Sequence, residues 1–202
     1  MSPRLLELSG VSDGARLQQL GIPVVHHSPN VGEGMRDHIT FSMAHRLVGA
    51  RGLNRRYRGI GRVPDILWYL LTHRGPLATG PYEVGAFTRS SPDQDRPDLQ
   101  LYFSPYTKVS GKFTTERQPG FTVSSHIVQT SSRGSVHITS PDPTVDGDIT
   151  PNHFATEDDR ARGLAMVRLI RSIVRQPAFA AYVGEEAAPW RGLTGDDELL
   201  AA

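Results

Sequence analysis

The chain has 202 residues, 38% of them hydrophobic, which suits one domain with its own core or one domain and part of another. Its 22 Lys and Arg residues nearly balance 21 Asp and Glu residues, and the net charge of +1 predicts no long-range attraction to nucleic acid or to an anionic membrane. The chain has no cysteine, which excludes disulfides, thiolate metal sites and cysteine nucleophiles and agrees with the cytoplasmic location that we expect.

Apolar runs in the sequence are short. The longest, residues 66–71, is far below the roughly 20 residues that a membrane-spanning helix needs. The N-terminus also lacks the charged, apolar and small-residue order of a signal peptide. We therefore predict neither a membrane span nor a cleaved leader.

The first 38 residues predict two short helices and a loop. Apolar side chains at Leu5, Leu6, Leu8, Leu17 and Leu20 give these helices their buried faces. Ser12 or Asp13 can cap the second helix, and a glycine followed by Ile-Pro ends it. Residues 28–38 are predicted to form a loop, because proline, asparagine and glycine recur there.

The central part of the chain predicts an antiparallel sheet. Period-two alternation of apolar residues marks strands near 39–45, 85–89, 98–104, 121–128 and 135–140. The last two are expected to form a hairpin across a polar turn. Residues 49–62, with five Arg and four Gly, are expected to be a mobile surface loop, and a helix is predicted to begin at Pro64.

A change to helical spacing follows at residue 156. Thr156 and Asp159 resemble a capping box, and the predicted helix covers residues 157–175. Its apolar face should lie on the sheet, while Arg160, Arg168, Arg171 and Arg175 should form a solvated face. Strands followed by a long helix predict the α+β class, an antiparallel sheet backed by helices.

Residue chemistry alone gives few catalytic candidates. His126 and His137 lie on the polar sides of their strands, and no pair of histidines has the spacing of a helix-borne zinc site. The sequence has neither the Gly-x-Ser-x-Gly turn of serine hydrolases nor a complete glycine-rich phosphate loop. Asp37 and His38 are stronger candidates for a functional site, because they end a loop directly before the first strand of the sheet, where side chains often face a cleft.

Several segments in register resemble the glucose–methanol–choline (GMC) flavin oxidoreductases. Residues 2–11, Ser-Pro-Arg-Leu-Leu-Glu-Leu-Ser-Gly-Val, resemble the later half of the second signature of that family, with Ser12 in place of a family glycine. The Asp37-His38 pair matches the family Asp-His, whereas the asparagine that precedes it in the family is lost. Further matches lie at residues 20–24, 29–32, 74–77, 83–89, 96–101, 132–136, 140–143 and 151–154.

The resemblance implies a domain organisation and a chemistry. Residues 1–38 would be a short helical remnant of the FAD-binding domain, and residues 39–202 a truncated substrate-binding domain. It implies oxidation of a small alcohol by hydride transfer to FAD, with Asp37 and His38 on the cofactor side and Tyr82 and Glu83 on the substrate side. The family's glycine loop would lie upstream of Met1 and its catalytic histidine beyond Ala202, so we expect no catalytic residue in this chain and no FAD held by it alone. Without the nucleotide-binding sheet on which they would pack, the leucines of the first two helices are expected to be partly exposed or wrongly docked: Leu5, Leu6, Leu8, Leu17 and Leu20.

Two alternatives stay open at this point. The chain could be a non-enzymatic module that binds a small molecule or a protein, or a truncated product without function. The sequence does not specify the alcohol, the electron acceptor or the oligomeric state.

Overall fold

The computed structural model describes residues 2–109, 111–112 and 114–201. Its helices are α1 (Ser2–Leu8), α2 (Gly14–Gln19), α3 (Val63–Thr72), α4 (Glu157–Val174), α5 (Pro177–Ala180) and α6 (Asp196–Ala201). Its strands are β1 (Val11–Ser12), β2 (His26–His27), β3 (Glu33–Met35), β4 (Thr40–Leu47), β5 (Val84–Thr88), β6 (Leu99–Ser104), β7 (Gly120–Ile127), β8 (Gly134–His137), β9 (Asp148–Thr150) and β10 (Val183–Glu186). This mixture of antiparallel sheets and helices confirms the predicted α+β class.

The chain forms two compact units, and the first is discontinuous. It combines the described residues up to Ile39 with Gln129–Arg160, while the second combines Thr40–Val128 with the described residues from Ala161. Strand pairing explains why residues 129–160 join the first unit: β8 lies between β3 and β9 in an antiparallel sheet. The boundary at residue 38, between a part of the FAD-binding domain and the substrate-binding domain, stays a prediction.

The small core of the first unit explains which N-terminal leucines are exposed. Leu17 is fully buried against Ile22 and Ile138, so its expected exposure was wrong. Leu5 and Leu6 are 67% and 43% exposed, as expected. Residues 33–35, predicted to be loop, form a strand because β8 supplies the partner that local sequence does not reveal.

The second unit is a five-stranded antiparallel sheet in the order β10-β4-β7-β6-β5. Alternate side chains of its strands, including Met43, Leu101 and Val123, pack against one face of α4. Val167, Ile170 and Val174 supply that helical face, as the spacing predicted. Burial of these apolar side chains is the main stabilising contribution to the unit.

The predicted hairpin across residues 121–140 is wrong. β7 pairs with β4 and β6, whereas β8 pairs with β3 and β9. The segment between β7 and β8 satisfies its backbone elsewhere, since the N–H groups of Ser131 and Ser132 donate to the Asp159 carboxylate at 2.9 and 2.7 Å. Asp159 itself donates its backbone N–H to Thr156 Oγ1 at 3.2 Å, which confirms the predicted cap of α4.

The segment 49–62 is anchored rather than loose, because Asn54 is buried. Its Nδ2 donates to the Thr107 carbonyl and hydroxyl at 3.1 and 2.9 Å, and its Oδ1 accepts from Gly120 N–H at 3.1 Å. Thr115 Oγ1 donates to the Asn54 carbonyl at 2.8 Å. Composition predicted a mobile loop, but one buried amide fixes the segment to two other segments.

The arginine row of α4 is also only partly solvated. Arg171 forms two hydrogen bonds to the Glu186 carboxylate, at 3.1 and 2.9 Å, and a third to the Trp190 carbonyl at 3.1 Å. Arg168 pairs with Asp196 at the surface. The expected solvated face therefore holds for Arg168 and is wrong for Arg171, which ties β10 to α4. Among the described residues, no helix is long and apolar enough to cross a membrane.

Candidate functional site

The face of the five-stranded sheet opposite α4, which we call the polar face, brings together hydroxyl, amide and aromatic side chains. The strand register places on this face Ser42, Gln100, Tyr102, Ser124 and His126. Ser42 and Ser124 lie directly opposite on neighbouring strands, and their hydroxyl oxygens are 2.8 Å apart. The face toward α4 thus packs in the apolar core, and the polar face holds groups that can bind polar ligands.

An aromatic stack crosses this polar face. The ring centroids of Tyr82 and Tyr102 are 4.8 Å apart with an interplanar angle of 35°. The ring of Tyr102 lies 5.3 Å from that of His126, at 33°. The structure therefore joins the predicted Tyr82 to Tyr102 and to His126, which sequence analysis had set aside as a strand residue facing away from the core. Only strand order makes these three rings neighbours, so no sequence pattern could reveal the stack.

Glu83 lies at the start of edge strand β5, where its backbone N–H donates to the Phe103 carbonyl at 3.1 Å and its side chain is exposed. Burial raises the pKa of Tyr57, and the nearby Glu83 carboxylate raises it further. Burial also raises the pKa of Tyr106, with a smaller contribution from Tyr82. Both predicted substrate-side residues thus lie within electrostatic range of two partly buried tyrosines.

These tyrosines line a cavity of about 300 Å³, which we call the tyrosine pocket. The rings of Tyr57 and Tyr106 meet nearly perpendicularly, at 86° and a centroid distance of 5.3 Å. The pocket is lined by Tyr57, Pro76, Leu77, Thr79, Gly80, Pro81, Tyr106, Lys108, Thr114 and Thr115. The aromatic ring faces can stabilise a small organic cation, which Lys108 in the lining would repel, and the threonine hydroxyls can hydrogen-bond a hydroxyl group.

Asp37 and His38 lie in the first unit and form a separate polar site. Asp37 accepts the backbone N–H of His38 at 2.9 Å, and its other carboxylate oxygen lies 3.5 Å from His153 Nε2. All three residues are substantially exposed. His153 stands between Asn152 and Phe154, two non-glycine residues with φ of 55° each, a conformation that is uncommon outside glycine. Sequence analysis matched this segment to the family but gave it no role.

One fully buried carboxylate of the first unit has a structural role. Glu7 is fully buried and accepts from Ser12 Oγ and from the backbone N–H of Ile138, at 3.2 and 2.7 Å. His137 bridges Glu7 and Glu33, with its two ring nitrogens 2.8 and 3.0 Å from the two carboxylates. Within the described residues, no group of three or more His, Cys, Asp and Glu side chains is arranged to hold a metal ion.

Comparison with known proteins gives the family. The family model described as GMC oxidoreductase matches residues 130–201. An oxygen-dependent choline dehydrogenase of Chromohalobacter salexigens is 33% identical over 208 residues that cover 98% of this chain and 36% of the relative. The chain belongs to the GMC oxidoreductase family. An alcohol dehydrogenase (acceptor) of Pseudomonas putida is 31% identical and covers 99% of this chain and 36% of its own length.

A solved GMC-type structure confirms the fold. A formate oxidase of Aspergillus oryzae, in which FAD modification is described, superposes with a TM-score of 0.84 at 23% identity, covering 98% of this chain and 39% of its own. This chain thus spans about a third of the curated relatives, at 36% of their length.

FAD is the cofactor that the GMC family implies. Two places in the first unit were candidates for its pyrophosphate group, and both are occupied by the chain itself. The N-terminus of α2 is occupied by Asp13, whose carboxylate accepts the N–H groups of Ala15 and Arg16 at 2.7 and 3.4 Å. The turn at Gly32 is filled as well, since a Cβ there would lie 2.4 Å from the Val136 carbonyl oxygen. Neither place can hold a pyrophosphate. The cofactor-side role of Asp37 and His38 stays a prediction.

Proposed function

We propose that this chain supplies the substrate-binding part of a GMC-type oxidoreductase that oxidises the CH–OH group of a small alcohol. In this proposal residues 1–38 belong to the FAD-binding domain and residues 39–202 to the substrate-binding domain. Two observations support the proposal: the similarity of the chain to this family, and the electrostatic effect of the Glu83 carboxylate on Tyr57, which lines the tyrosine pocket. FAD, when bound, supplies the hydride acceptor.

In this proposal each residue in or near the pocket makes a different interaction with the substrate. The Glu83 carboxylate attracts a cationic group or accepts a hydrogen bond from a substrate hydroxyl. Tyr57 and Tyr106 present ring faces that stabilise a cation and exclude water. Tyr82, held by its stack on Tyr102, connects the pocket to the polar face of the sheet. This arrangement positions a substrate and assigns no proton-transfer group to this chain.

Asp37 and His38 are proposed to contact the cofactor on the side of the first unit. The interaction of Asp37 with His153 supports this role, because it holds an acceptor and an imidazole together at an exposed place. The two places considered for the pyrophosphate, the N-terminus of α2 and the turn at Gly32, are both occupied, so we expect that the 202-residue chain alone does not retain FAD. Desalting after incubation with FAD should leave the chain without stoichiometric flavin absorbance.

Ligand binding by the purified chain tests the substrate proposal. Choline, which carries a cation and a hydroxyl, is titrated against the 202-residue protein by NMR, with ethanol as the uncharged comparison. We expect Glu83→Gln to weaken choline binding by about tenfold, since an ion–carboxylate contact is lost. Glu185→Gln is the matched control, because Glu185 is an exposed carboxylate on β10 that pairs with Arg191.

The outcomes separate the possible roles. Choline shifts that map to Tyr57 and Tyr106 and disappear in Glu83→Gln support the assignment. Equal shifts in both glutamate variants, or shifts confined to other residues, would remove Glu83 from the site. Binding of ethanol alone would keep an alcohol site but reject the cationic substrate class.

A further inference from the structure

Helix α3 is apolar on all sides and yet exposed. The exposed fractions of its large side chains include 54% for Leu67, 45% for Trp68, 63% for Leu70 and 82% for Leu71, and that of Ile60 in the preceding turn is 90%. These positions surround the whole helix, since successive residues are about 100° apart. A helix that is hydrophobic all round normally lies inside a protein core or in contact with lipid.

The helix is fixed at its base and free elsewhere. Its charged residue, Asp65, is buried, and both of its carboxylate oxygens accept the Arg56 Nε–H in a bifurcated hydrogen bond, at 2.8 and 2.7 Å. Gly75 approaches Trp68 so closely that a Cβ there would lie 2.7 Å from the indole ring. The helix packs on the short 3-10 turns at Gly59–Arg62 and Pro76–Ala78. It therefore has a defined position while its apolar side chains stay accessible.

The stretch of sequence that contains this helix is rich in positive charge. Residues 51–74 contain six arginines, at positions 51, 55, 56, 58, 62 and 74, and a single acidic residue, Asp65, which Arg56 neutralises. Within the described part of the chain, no carboxylate lies within ion-pair distance of Arg51, Arg55, Arg62 or Arg74. The net charge of +1 for the whole chain averages over this segment and conceals it.

We propose that α3 and its flanking arginines bind an anionic lipid surface, with the helix lying in the interface. Aliphatic side chains with a Trp and a Tyr enter the boundary between headgroups and acyl chains, while arginines pair with lipid phosphates. The helix has ten residues, so it lies on a membrane and does not cross one. A second copy of this chain fits the surface less well, because a two-fold contact would place this cationic segment against itself.

Tryptophan fluorescence reports this binding directly. The chain has two tryptophans, Trp68 on α3 and Trp190, which is only 5% exposed. Vesicles of phosphatidylglycerol should shift the emission of the 202-residue chain to the blue, and a Trp68→Phe variant should lose the shift but still sediment with the vesicles. Vesicles of phosphatidylcholine should bind weakly, and added salt should release the protein from phosphatidylglycerol.

Two leucine variants locate the binding surface. Leu71→Glu should lower the partition into phosphatidylglycerol vesicles by about tenfold or more, because it places a carboxylate where an acyl chain would lie. Leu5→Glu is the matched control, an exposed leucine on another helix, and it should bind like the unchanged chain. Both substitutions are at exposed sites, so circular dichroism should show intact folding in each.

Other results would overturn the proposal. If the chain does not sediment with phosphatidylglycerol vesicles at low salt, α3 is not a lipid-binding element. Concentration-dependent dimerisation that Leu71→Glu abolishes, without vesicle binding, would assign the surface to a second copy. Equal losses in Leu71→Glu and Leu5→Glu would show unspecific adsorption of exposed leucines, and binding that salt does not weaken would remove the arginines from the mechanism.

Discussion

Glu7 and His137 are 130 positions apart in the sequence and form a buried contact of 2.8 Å. Their contact joins α1 to β8, and Glu33 meets the other nitrogen of the ring at 3.0 Å. Each ring nitrogen thus lies within hydrogen-bonding distance of a carboxylate, which fixes the orientation of the imidazole. The first unit is held by this polar cluster as well as by its small apolar core.

We expect Glu7→Gln to destabilise the protein by about 3 kcal/mol, because it replaces a fully buried charge that accepts several hydrogen bonds. Glu33→Gln is the control, since the Glu33 side chain is 52% exposed, and its cost should stay below about 1 kcal/mol. Urea denaturation followed by far-ultraviolet circular dichroism measures both values. Equal costs for the two variants would contradict a special role for Glu7.

Asn54→Ala should cost about 2 kcal/mol, because it leaves the buried Gly120 N–H without its side-chain acceptor and removes one of the two hydrogen bonds to the Thr107 carbonyl. Amide hydrogen exchange at Gly120 should accelerate at the same time. Asn30→Ala, at an exposed asparagine of the first unit, should change neither quantity by more than the error of measurement. Unchanged exchange at Gly120 would show that the segment 49–62 does not depend on this amide.

Arg171→Lys should destabilise the protein by about 2 kcal/mol, since lysine cannot make the paired hydrogen bonds that Arg171 gives to Glu186. Both side chains of that pair are less than a fifth exposed, at 17% and 18%. Arg168→Lys is the matched control on the same helix, because its pair with Asp196 is exposed and should contribute little. Thermal unfolding of both variants provides the comparison.

Asp159 should make stability depend on pH in the acid range. Burial opposes ionisation of its carboxylate, but hydrogen bonds from Ser132 and Ser131 outweigh burial and lower the pKa of Asp159. Because the folded pKa is below the unfolded value of about 4, the ionised group stabilises the fold above that pH, and the contribution is lost as the pH falls through the lowered pKa. Asp159→Asn should be less stable at neutral pH and should lose less stability on acidification. A parallel decline in both proteins would reject this assignment.

Glu83 can be tested without any ligand, through the ionisation of Tyr57. Burial and the Glu83 carboxylate both raise the pKa of Tyr57, so Glu83→Gln should lower it while burial keeps it above the ordinary value. Tyrosinate absorbance during alkaline titration, compared with that of Tyr57→Phe, isolates the single residue. Glu185→Gln should leave the titration unchanged, and an unchanged pKa in Glu83→Gln would place the carboxylate too far from the ring.

Local spacing predicted the elements better than their partners. The alternation of residues 121–127 and the helical spacing from 157 follow directly from side-chain burial, so both elements exist as predicted. The pairing of β8 with β3 depends on contacts about a hundred residues apart, and local sequence carries no signal for it. The false hairpin arose because a polar turn was assumed to satisfy its own backbone, whereas Asp159 does so.

The candidate site could be predicted only in part. Tyr82 and Glu83 came from a family resemblance, and their roles stay predictions. Tyr57 and Tyr106 carry no pattern of their own, because they reach the pocket from separate loops. Likewise, the charge around α3 is visible in the sequence, but its meaning depends on the exposure of the helix, which spacing alone would assign to a buried face.

The discontinuous first unit also sets an order of events during synthesis. β3 leaves the ribosome about a hundred residues before β8, which at about 5–20 residues per second is a delay of roughly 5–20 seconds. Throughout that interval Glu7 has no His137 to meet, whereas β4 to β7, which pair mainly with one another, have all been synthesised by its end. The N-terminal segment therefore stays unfinished until β8 has been synthesised, and Leu17 lacks its core neighbour Ile138 for the whole of that delay.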